Sequence, residues 1–549
     1  MKRPIENSTF STMKHWYSIG LKLIFEGILI GIFTGFAIVL FRYSIEKIND
    51  FYPSIFSFLK EKPYFIPILF IILISIGIII GLLIKAEPMV RGSGIPQIEG
   101  VLLRKTNMVW WRILLGKLFG GILAIGAGLS LGREGPSVQI GASIGQGFSK
   151  IFKRIKIEEN FLITSGASAG LAAAFNAPLA GVIFALEEVH KSFSSLILLS
   201  AVSASVTADF ISSGFFGIKP IFNFKSIETL PLKNYPYLLI VGAVIGLFGA
   251  FFNYSLLKVK DLYVRQKFVP IIVRPVIPLI FAGILGFFYP QVLGGGNTLV
   301  TSLTQNNFGI KLLFILLVLK FAFTIFSYGS GAPGGIFLPL LVVGAITGNL
   351  LGIFFNHAFN LNPTYINNFI VLAMAGYFAA IVKAPITGIV LITEMTGSFN
   401  HLLSLSIVVF VSYFFANLVG SKPIYESLLN RSLQNEEYAA FVGEPKTRVV
   451  LEIPISIESE IEGHKIKDIC WPQGCLLVSI KRGAEEIIPK GETIIYPGDY
   501  LIVLTNEEEV GQVMEKISEF SQGSKIKTYY KHELFFHKII RFFKNIFKK

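Results

Sequence analysis

Cysteine is almost absent from this chain: two of 549 residues, Cys470 and Cys475, near the C-terminal end. That excludes a disulfide framework and fits a reducing compartment for the segment that holds them. With no second cysteine pair or histidine cluster nearby they make a poor zinc site, and no metal or cofactor is expected. Charge is scarce too. Asp, Glu, Lys and Arg supply 15% of the residues against 52% hydrophobic, and the mean hydropathy is +0.63. One aqueous core of ordinary composition cannot hide that much apolar surface, so the chain belongs in a lipid bilayer. Also missing are a His-Glu-x-x-His zinc motif and a nucleophile elbow, which argues against an intramembrane hydrolase or any enzyme. No Thr-Val-Gly-Tyr-Gly filter accompanies Ser327-Tyr328-Gly329-Ser330-Gly331, which argues against a potassium pathway. No small-residue cleavage site follows the first apolar run, so residues 1–18 read as a cytoplasmic N-terminal segment, not a secretory signal.

The net charge of +14 could suggest nucleic acid, but its distribution argues otherwise: residues 525–549 hold eight Lys or Arg and one acid, Glu533, half of the excess. Phe535, Phe536, Ile539, Ile540, Phe543, Ile546 and Phe547 recur there at helical spacing among Lys538, Arg541, Lys544 and Lys548. Such a basic amphipathic tail suits an anionic leaflet. A disordered basic tail that fixes orientation is an equal reading.

Long apolar runs are abundant, from Leu21 to Phe41 through Tyr64 to Ile84 and on to Phe369 to Ile392 and Leu402 to Val419. Several reach the ~20 residues that cross a ~30 Å hydrocarbon layer as helix, and others are broken by Gly and Pro. Interrupted helices are a transporter feature, because unpaired backbone at membrane depth survives only inside protein or beside water. The runs also repeat. Gly170, Ala172, Ala173, Ala177, Pro178, Gly181 and Glu187 match Gly376, Ala379, Ala380, Ala384, Pro385, Gly388 and Glu394 at offsets of 206 to 207. Pro136, Gly141 and Gly145 match Pro339, Gly344 and Gly348 at 203, and Gly92 and Gly94 match Gly294 and Gly296 at 202. The expected fold is an all-α polytopic membrane domain, residues 19–433, of two structural repeats, about 19–214 and 235–433. Beyond it a small α+β domain is expected over 445–520, with strands Val449–Ile457, Cys475–Lys481, Glu492–Tyr496 and Tyr500–Thr505 and a helix from Asn506 to Phe520.

Four strings are unusual for lipid-buried sequence. Gly92-Ser93-Gly94-Ile95-Pro96 sets a hydroxyl donor between two glycines. Gly132-Arg133-Glu134-Gly135-Pro136 opens a helix, where backbone amides favour negative charge. Gly334-Gly335-Ile336-Phe337-Leu338-Pro339 is its second-repeat equivalent without an acid, and Lys422-Pro423-Ile424-Tyr425 supplies a phenol. Together they offer a donor-only pocket that binds an anion without a full positive charge and so lets it leave. Glu187 and Glu394, being repeat equivalents, read as structural acids on exposed helix-end amides. Arg133 reads as a salt-bridge partner and Lys117 as a buried structural lysine.

These strings, in this order and spacing, resemble the CLC family of chloride channels and chloride/proton antiporters over nearly all of residues 19–433. The resemblance implies a CLC-like fold with inverted repeats, a multi-pass protein of the cell (inner) membrane with both termini cytoplasmic, and a homodimer with one pathway per subunit. It implies Ser93, the backbone of Ile336 and Phe337, and Tyr425 as anion ligands, Glu134 as gating glutamate, and Glu188 as the internal proton-transfer glutamate. Chloride and protons are then the substrates. A passive chloride channel is the nearest alternative, and fluoride or nitrate exchange are others. Gln97 stands where relatives often have Glu. The segment through Pro472, Gly474, Arg482, Pro489, Gly491 and Gly498-Asp499 resembles the C-terminal subdomain of the RCK (TrkA-C) regulatory module, which implies ligand-linked regulation or dimer contacts and names no ligand.

Overall fold

A computed structural model describes residues 8–222, 224, 228–266, 269–305, 308–434, 448–457, 459–483, 485–506 and 510–521. The basic tail 525–549 lies outside them. The chain divides into two compact units, Met1–Phe441 and Val442–Lys549.

The first unit is helical throughout. Its first half runs α1 (Ser8–Asp50), α2 (Tyr52–Glu61), α3 (Ile66–Ala86), α4 (Ile95–Leu102), α5 (Trp110–Gly126), α6 (Glu134–Ile151), α7 (Lys156–Phe175), α8 (Pro178–Phe184) and α9 (Ser195–Phe216). Its second half runs α10 (Tyr235–Arg265), α11 (Val276–Phe288), α12 (Asn297–Gln305), α13 (Ile310–Gly329), α14 (Phe337–Phe359), α15 (Ile366–Val382), α16 (Pro385–Thr396), α17 (Leu402–Leu418) and α18 (Ile424–Gln434). Among the described residues, seven helical segments are long and apolar enough to cross a membrane, and α11, α16 and α17 are shorter apolar helices. The first helix begins at Ser8, within residues 1–18, the segment set apart from the membrane domain in the sequence reading.

Outer helices leave apolar faces open. On α3, Ile68, Ile71, Ile72, Ile79 and Leu82 are exposed, as suits contact with lipid. Inside lie α6 and α14, buried along most of their length. The repeated glycines explain how they fit. A Cβ on Gly141 would stand 2.0 Å from the Gly166 carbonyl of α7, and one on Gly145 2.1 Å from that of Leu162. In the second half a Cβ on Gly348 would stand 2.2 Å from the Phe369 carbonyl of α15. Backbones therefore touch, and helix pairs packed this closely exclude lipid through dispersion contacts.

Repeat-equivalent residues also meet each other. Gly132 and Gly335 form an antiparallel bridge in which each N–H donates to the other's carbonyl at 2.7 Å. The two halves thus meet through equivalent glycines whose chains run in opposite directions at this bridge. The apolar run from Phe369 to Ile392 is two helices. Lys383 adopts a left-handed φ of 71° at the end of α15, and Pro385 then starts α16. Asn176, its equivalent, does the same between α7 and α8 with φ 50°.

The second unit carries β1 (Arg448–Pro454), β2 (Cys475–Arg482), β3 (Glu485–Ile487), β4 (Tyr500–Asn506) and α19 (Val510–Ser521). The antiparallel sheet has the order β1-β4-β2-β3. Leu451, Ile453, Leu501 and Val503 alternate inward and pack with Val513 and Ile517 of α19, the period-two and period-3.6 patterns meeting in one core. The strand expected at Glu492–Tyr496 is absent; only an isolated bridge joins Ile494 to Lys465. The fourth strand is instead β3, which returns along β2 after the turn at Gly483, itself at φ 58°. That segment pairs outside the sheet: Ile466 N–H donates to the Thr493 carbonyl (3.0 Å), Ile495 N–H to that of His464 (3.1 Å) and Gly463 N–H to that of Ile495 (2.9 Å), while Arg482 donates to the Ile494 carbonyl and, at 2.8 Å each, to both carboxylate oxygens of Asp499. Asn506 ends β4, and residues 507–509 lie outside the described ones.

Candidate functional site

The Gly92–Ser93–Gly94 loop is pinned from below. Lys117, fully buried on α5, donates its ammonium to the carbonyls of Val90 (2.9 Å) and Gly92 (2.6 Å). In the second repeat Lys320 does the same to Val292 (2.9 Å) and Gly294 (2.7 Å). Both lysines are structural, as sequence expected of Lys117. Lys320 was not singled out from sequence, though its offset of 203 from Lys117 was there to be read. Gly94, at φ 96°, turns the chain into α4; a Cβ there would lie 2.5 Å from Gln139 Oε1. Side chains are excluded at both counts, which is why a glycine stands here.

Ser93 is 1% exposed and Tyr425 fully buried, yet neither hydroxyl has a hydrogen-bond partner among the described residues. Both hydroxyls thus remain available as donors. Glu134 starts α6 and is fully buried; one carboxylate oxygen accepts from the Leu338 amide at 3.4 Å and the other is unpartnered. The first-repeat acid thus sits on the first turn of the second-repeat helix α14, whose leading amides have no intrahelical acceptors. Ile336 precedes that helix and Phe337 opens it. The Phe337 ring is held by Phe378 (4.6 Å between centroids), Phe175 (5.3 Å) and Phe184 (5.9 Å). Tyr425 lies within electrostatic range of both Glu134 and Glu188. The structure therefore brings Ser93, Glu134, the Ile336–Phe337 turn, Tyr425 and Glu188 into one buried region.

Glu188 lies on a π-helical turn, Ala185–His190, that continues α8. Consecutive residues on a helical turn point in different directions, so the two acids diverge. Glu187 reaches across to α16, accepting from the amides of Ile386 (3.2 Å) and Thr387 (2.7 Å) and from the Thr387 hydroxyl (2.7 Å). Glu394 reciprocates, accepting from Leu179 (3.1 Å) and Ala180 (2.7 Å) at the start of α8. Each acid caps the other repeat's helix, the structural role read from their equivalence. Glu188 turns inward instead, 4% exposed with one oxygen unpartnered. Its charged neighbours are Lys191, Glu99, Glu187 and Glu426. Lys191 bonds to Glu99 and lies 3.9 Å from Glu426. Glu99, Lys191 and Glu426 were missed from sequence, because neither spacing nor repeat links α4, the π turn and α18. Arg133 pairs with Glu46 of α1 at 2.7 Å, and Gln97 donates to the Arg91 carbonyl at 2.7 Å.

Residues 76–417 match the family model described as voltage gated chloride channel. The chain belongs to that family. Residues 450–518 match the TrkA-C domain. Over 459 residues the chain is 35% identical to the H(+)/Cl(-) exchange transporter ClcA of Vibrio cholerae, covering 80% of this chain and 94% of that protein. It is 33% identical over 431 residues to the protein of the same name from Klebsiella pneumoniae, covering 76% of this chain and 90% of that one. Among solved structures, a slow cyanobacterial Cl-/H+ antiporter superposes with a TM-score of 0.73 at 32% identity, over 76% of this chain and 99% of the other. A CLC-type fluoride/proton antiporter gives 0.61 at 25% identity, over 74% and 97%. The family's helical membrane fold is the fold of the first unit, and the small sheet domain that follows it is the part that matches TrkA-C.

Proposed function

We propose that this chain exchanges chloride for protons across the cell (inner) membrane. The observation that carries the reading is the Glu134 carboxylate on the first-turn amide of α14, 3.4 Å from Leu338 N, with the unpartnered Ser93 and Tyr425 hydroxyls in the same buried region. A carboxylate there occupies what an anion would occupy. Protonated, it loses its attraction to the helix N-terminus and withdraws, so proton and anion become alternatives for one place. Ser93, Tyr425 and the Ile336 and Phe337 amides hold the anion with neutral donors, weakly enough for release. Glu188 passes the proton by a separate route. The Lys191 and Glu426 side chains beside it are 36% and 49% exposed, which gives that route an opening to water, and an ionisable group at membrane depth costs too much to be idle.

The proposal extends to the organisation. Residues 19–433 form the transport domain, 445–520 a TrkA-C-like regulatory domain that binds a small ligand, and 525–549 a basic amphipathic tail. Both termini face the cytoplasm, and two copies form a homodimer with a pathway in each. The similarity to proteins named H(+)/Cl(-) exchange transporters supports exchange over passive conduction, as does the presence of Glu188.

Purified protein in liposomes, with chloride efflux and external pH recorded together, tests the reading. A chloride gradient is expected to drive protons uphill, and Glu134→Ala to keep chloride flux while abolishing the proton signal. Chloride flux without proton movement in the unaltered protein would make it a passive channel. Fluoride or nitrate flux without chloride flux would reassign the anion.

A further inference from the structure

A charged cavity lies where the end of α10 meets α18, apart from the Ser93–Glu134–Tyr425 region. Its volume is about 580 Å³ and it is lined by Lys260, Asp261, Arg265, Lys422 and Arg431, with Ser427 and Asn430 as neutral donors. Arg431 and Asp261 pair at 3.2 Å. Among the described residues no acid pairs with Lys260, Arg265 or Lys422, so three cations face one concavity. Like charges gathered in a cleft repel one another and focus a positive potential. Asp261 is the one acid among the lining residues against four basic side chains, so the cleft is net positive and suits an anion of more than one charge.

Size and chemistry narrow that anion. The transport site uses neutral donors, as a passing monovalent ion requires. This cavity instead offers basic side chains, Arg265 and Arg431 among them, and is far larger than a bare halide. Beside it a cleft of about 20 Å³ links Lys260 to Gly92 and Tyr328, room for a water and no more, so a larger occupant stays outside the transport site. Guanidinium forks and ammonium donors together suit phosphate oxygens. The cavity is also continuous, through Asp261, Arg265 and Arg431, with a second hollow of about 310 Å³ whose remaining lining is Tyr254, Leu257 and Leu262 with Lys258. Tyr254 and Leu262 are exposed on the outer face of α10. Charged walls therefore pass directly into an apolar wall on a lipid-facing helix, the boundary at which a headgroup meets its acyl chains.

We propose that the α10–α18 cavity binds a phosphate-bearing anion through Lys260, Arg265 and Lys422. The apolar hollow favours an anionic phospholipid as its source over a soluble phosphate compound.

Native mass spectrometry of the full-length protein in detergent, titrated separately with phosphatidylglycerol, phosphatidylcholine and inorganic pyrophosphate, tests this. The unaltered chain is expected to hold phosphatidylglycerol in preference to phosphatidylcholine, and Lys260→Gln with Arg265→Gln to weaken that binding about thirty-fold, at about a factor of five per cation removed. Arg265 is exposed at the end of α10, so Arg265→Glu alone keeps the fold and still lowers affinity. Pyrophosphate binding that the same substitutions abolish, without phosphatidylglycerol binding, would support the site and assign it a soluble ligand. Equal binding of both probes by the unaltered and substituted proteins overturns the proposal.

Discussion

Gly135→Ala tests the placement of Ser93 with one methyl group. A Cβ on Gly135 would stand 2.4 Å from Ser93 Oγ, 2.8 Å from its carbonyl oxygen and 3.1 Å from its Cα. Ordinary contact needs about 3.5–4.0 Å, so the Ser93 loop must retreat by about 1 Å. It cannot do so freely, because Lys117 holds the Gly92 carbonyl from the other side. Gly135 is the second residue of α6, where alanine gains about 1 kcal/mol of helix propensity against an overpacking cost of about 1–3 kcal/mol. Stability therefore changes little while the geometry of the anion pocket does not recover. Displacing one neutral donor costs about 1–1.5 kcal/mol of binding, about a tenfold weaker chloride affinity. Calorimetric titration of chloride into the purified variant reads this directly. Proton coupling is expected to persist, because Glu134 and Glu188 are untouched. As a contrast, a Cβ on Gly141 meets the Gly166 backbone at 2.0 Å, so Gly141→Ala is expected to damage the fold. A folded Gly135→Ala protein with unchanged chloride affinity would remove Ser93 from the anion site.

Glu188→Gln keeps size and hydrogen bonding but removes titration, so chloride flux in liposomes is expected to continue and become insensitive to an imposed pH gradient; coupling at the unaltered ratio would leave Glu188 without a role. Glu187→Ala strips three bonds from the start of α16 and is expected to cost about 2–4 kcal/mol of stability, read as a lower unfolding temperature with coupling intact. An unchanged unfolding temperature would refute the cap. In the C-terminal unit, burial opposes ionisation of Asp499, but the two Arg482 bonds and the Tyr496 amide outweigh it and hold its carboxyl below the ordinary 3.8. A depressed folded value stabilises above the unfolded one and is lost as pH falls through it. Asp499→Asn is therefore expected to cost about 1–3 kcal/mol near neutral pH and progressively less in acid, by unfolding of this unit followed against pH; parallel curves for the two proteins would refute the pairing.

Much of this protein is legible in its residue order. Hydrophobic content far beyond an aqueous core places it in lipid. Glycines matched at 203 mark helix backbones in contact, and Glu187 with Glu394 already implies reciprocal capping, because duplicated local sequence carries duplicated local structure. Strands β1, β2 and β4 follow from alternation, whereas Glu492–Tyr496 has the composition of a strand and instead bonds to the loop residues 463–466, outside the sheet. What the chain order does not contain is contact between segments hundreds of positions apart. Only the packing of α6 against the start of α14 sets the Glu134 carboxylate on the Leu338 amide, and only the packing around the π turn leaves Glu188 buried while Glu187 reaches the start of α16. The Glu99–Lys191–Glu426 cluster and the α10–α18 cavity arise the same way. Periodicity and motif report what a residue does to its own segment; an electrostatic site depends on distances across the fold, and those exist only once the helices have packed.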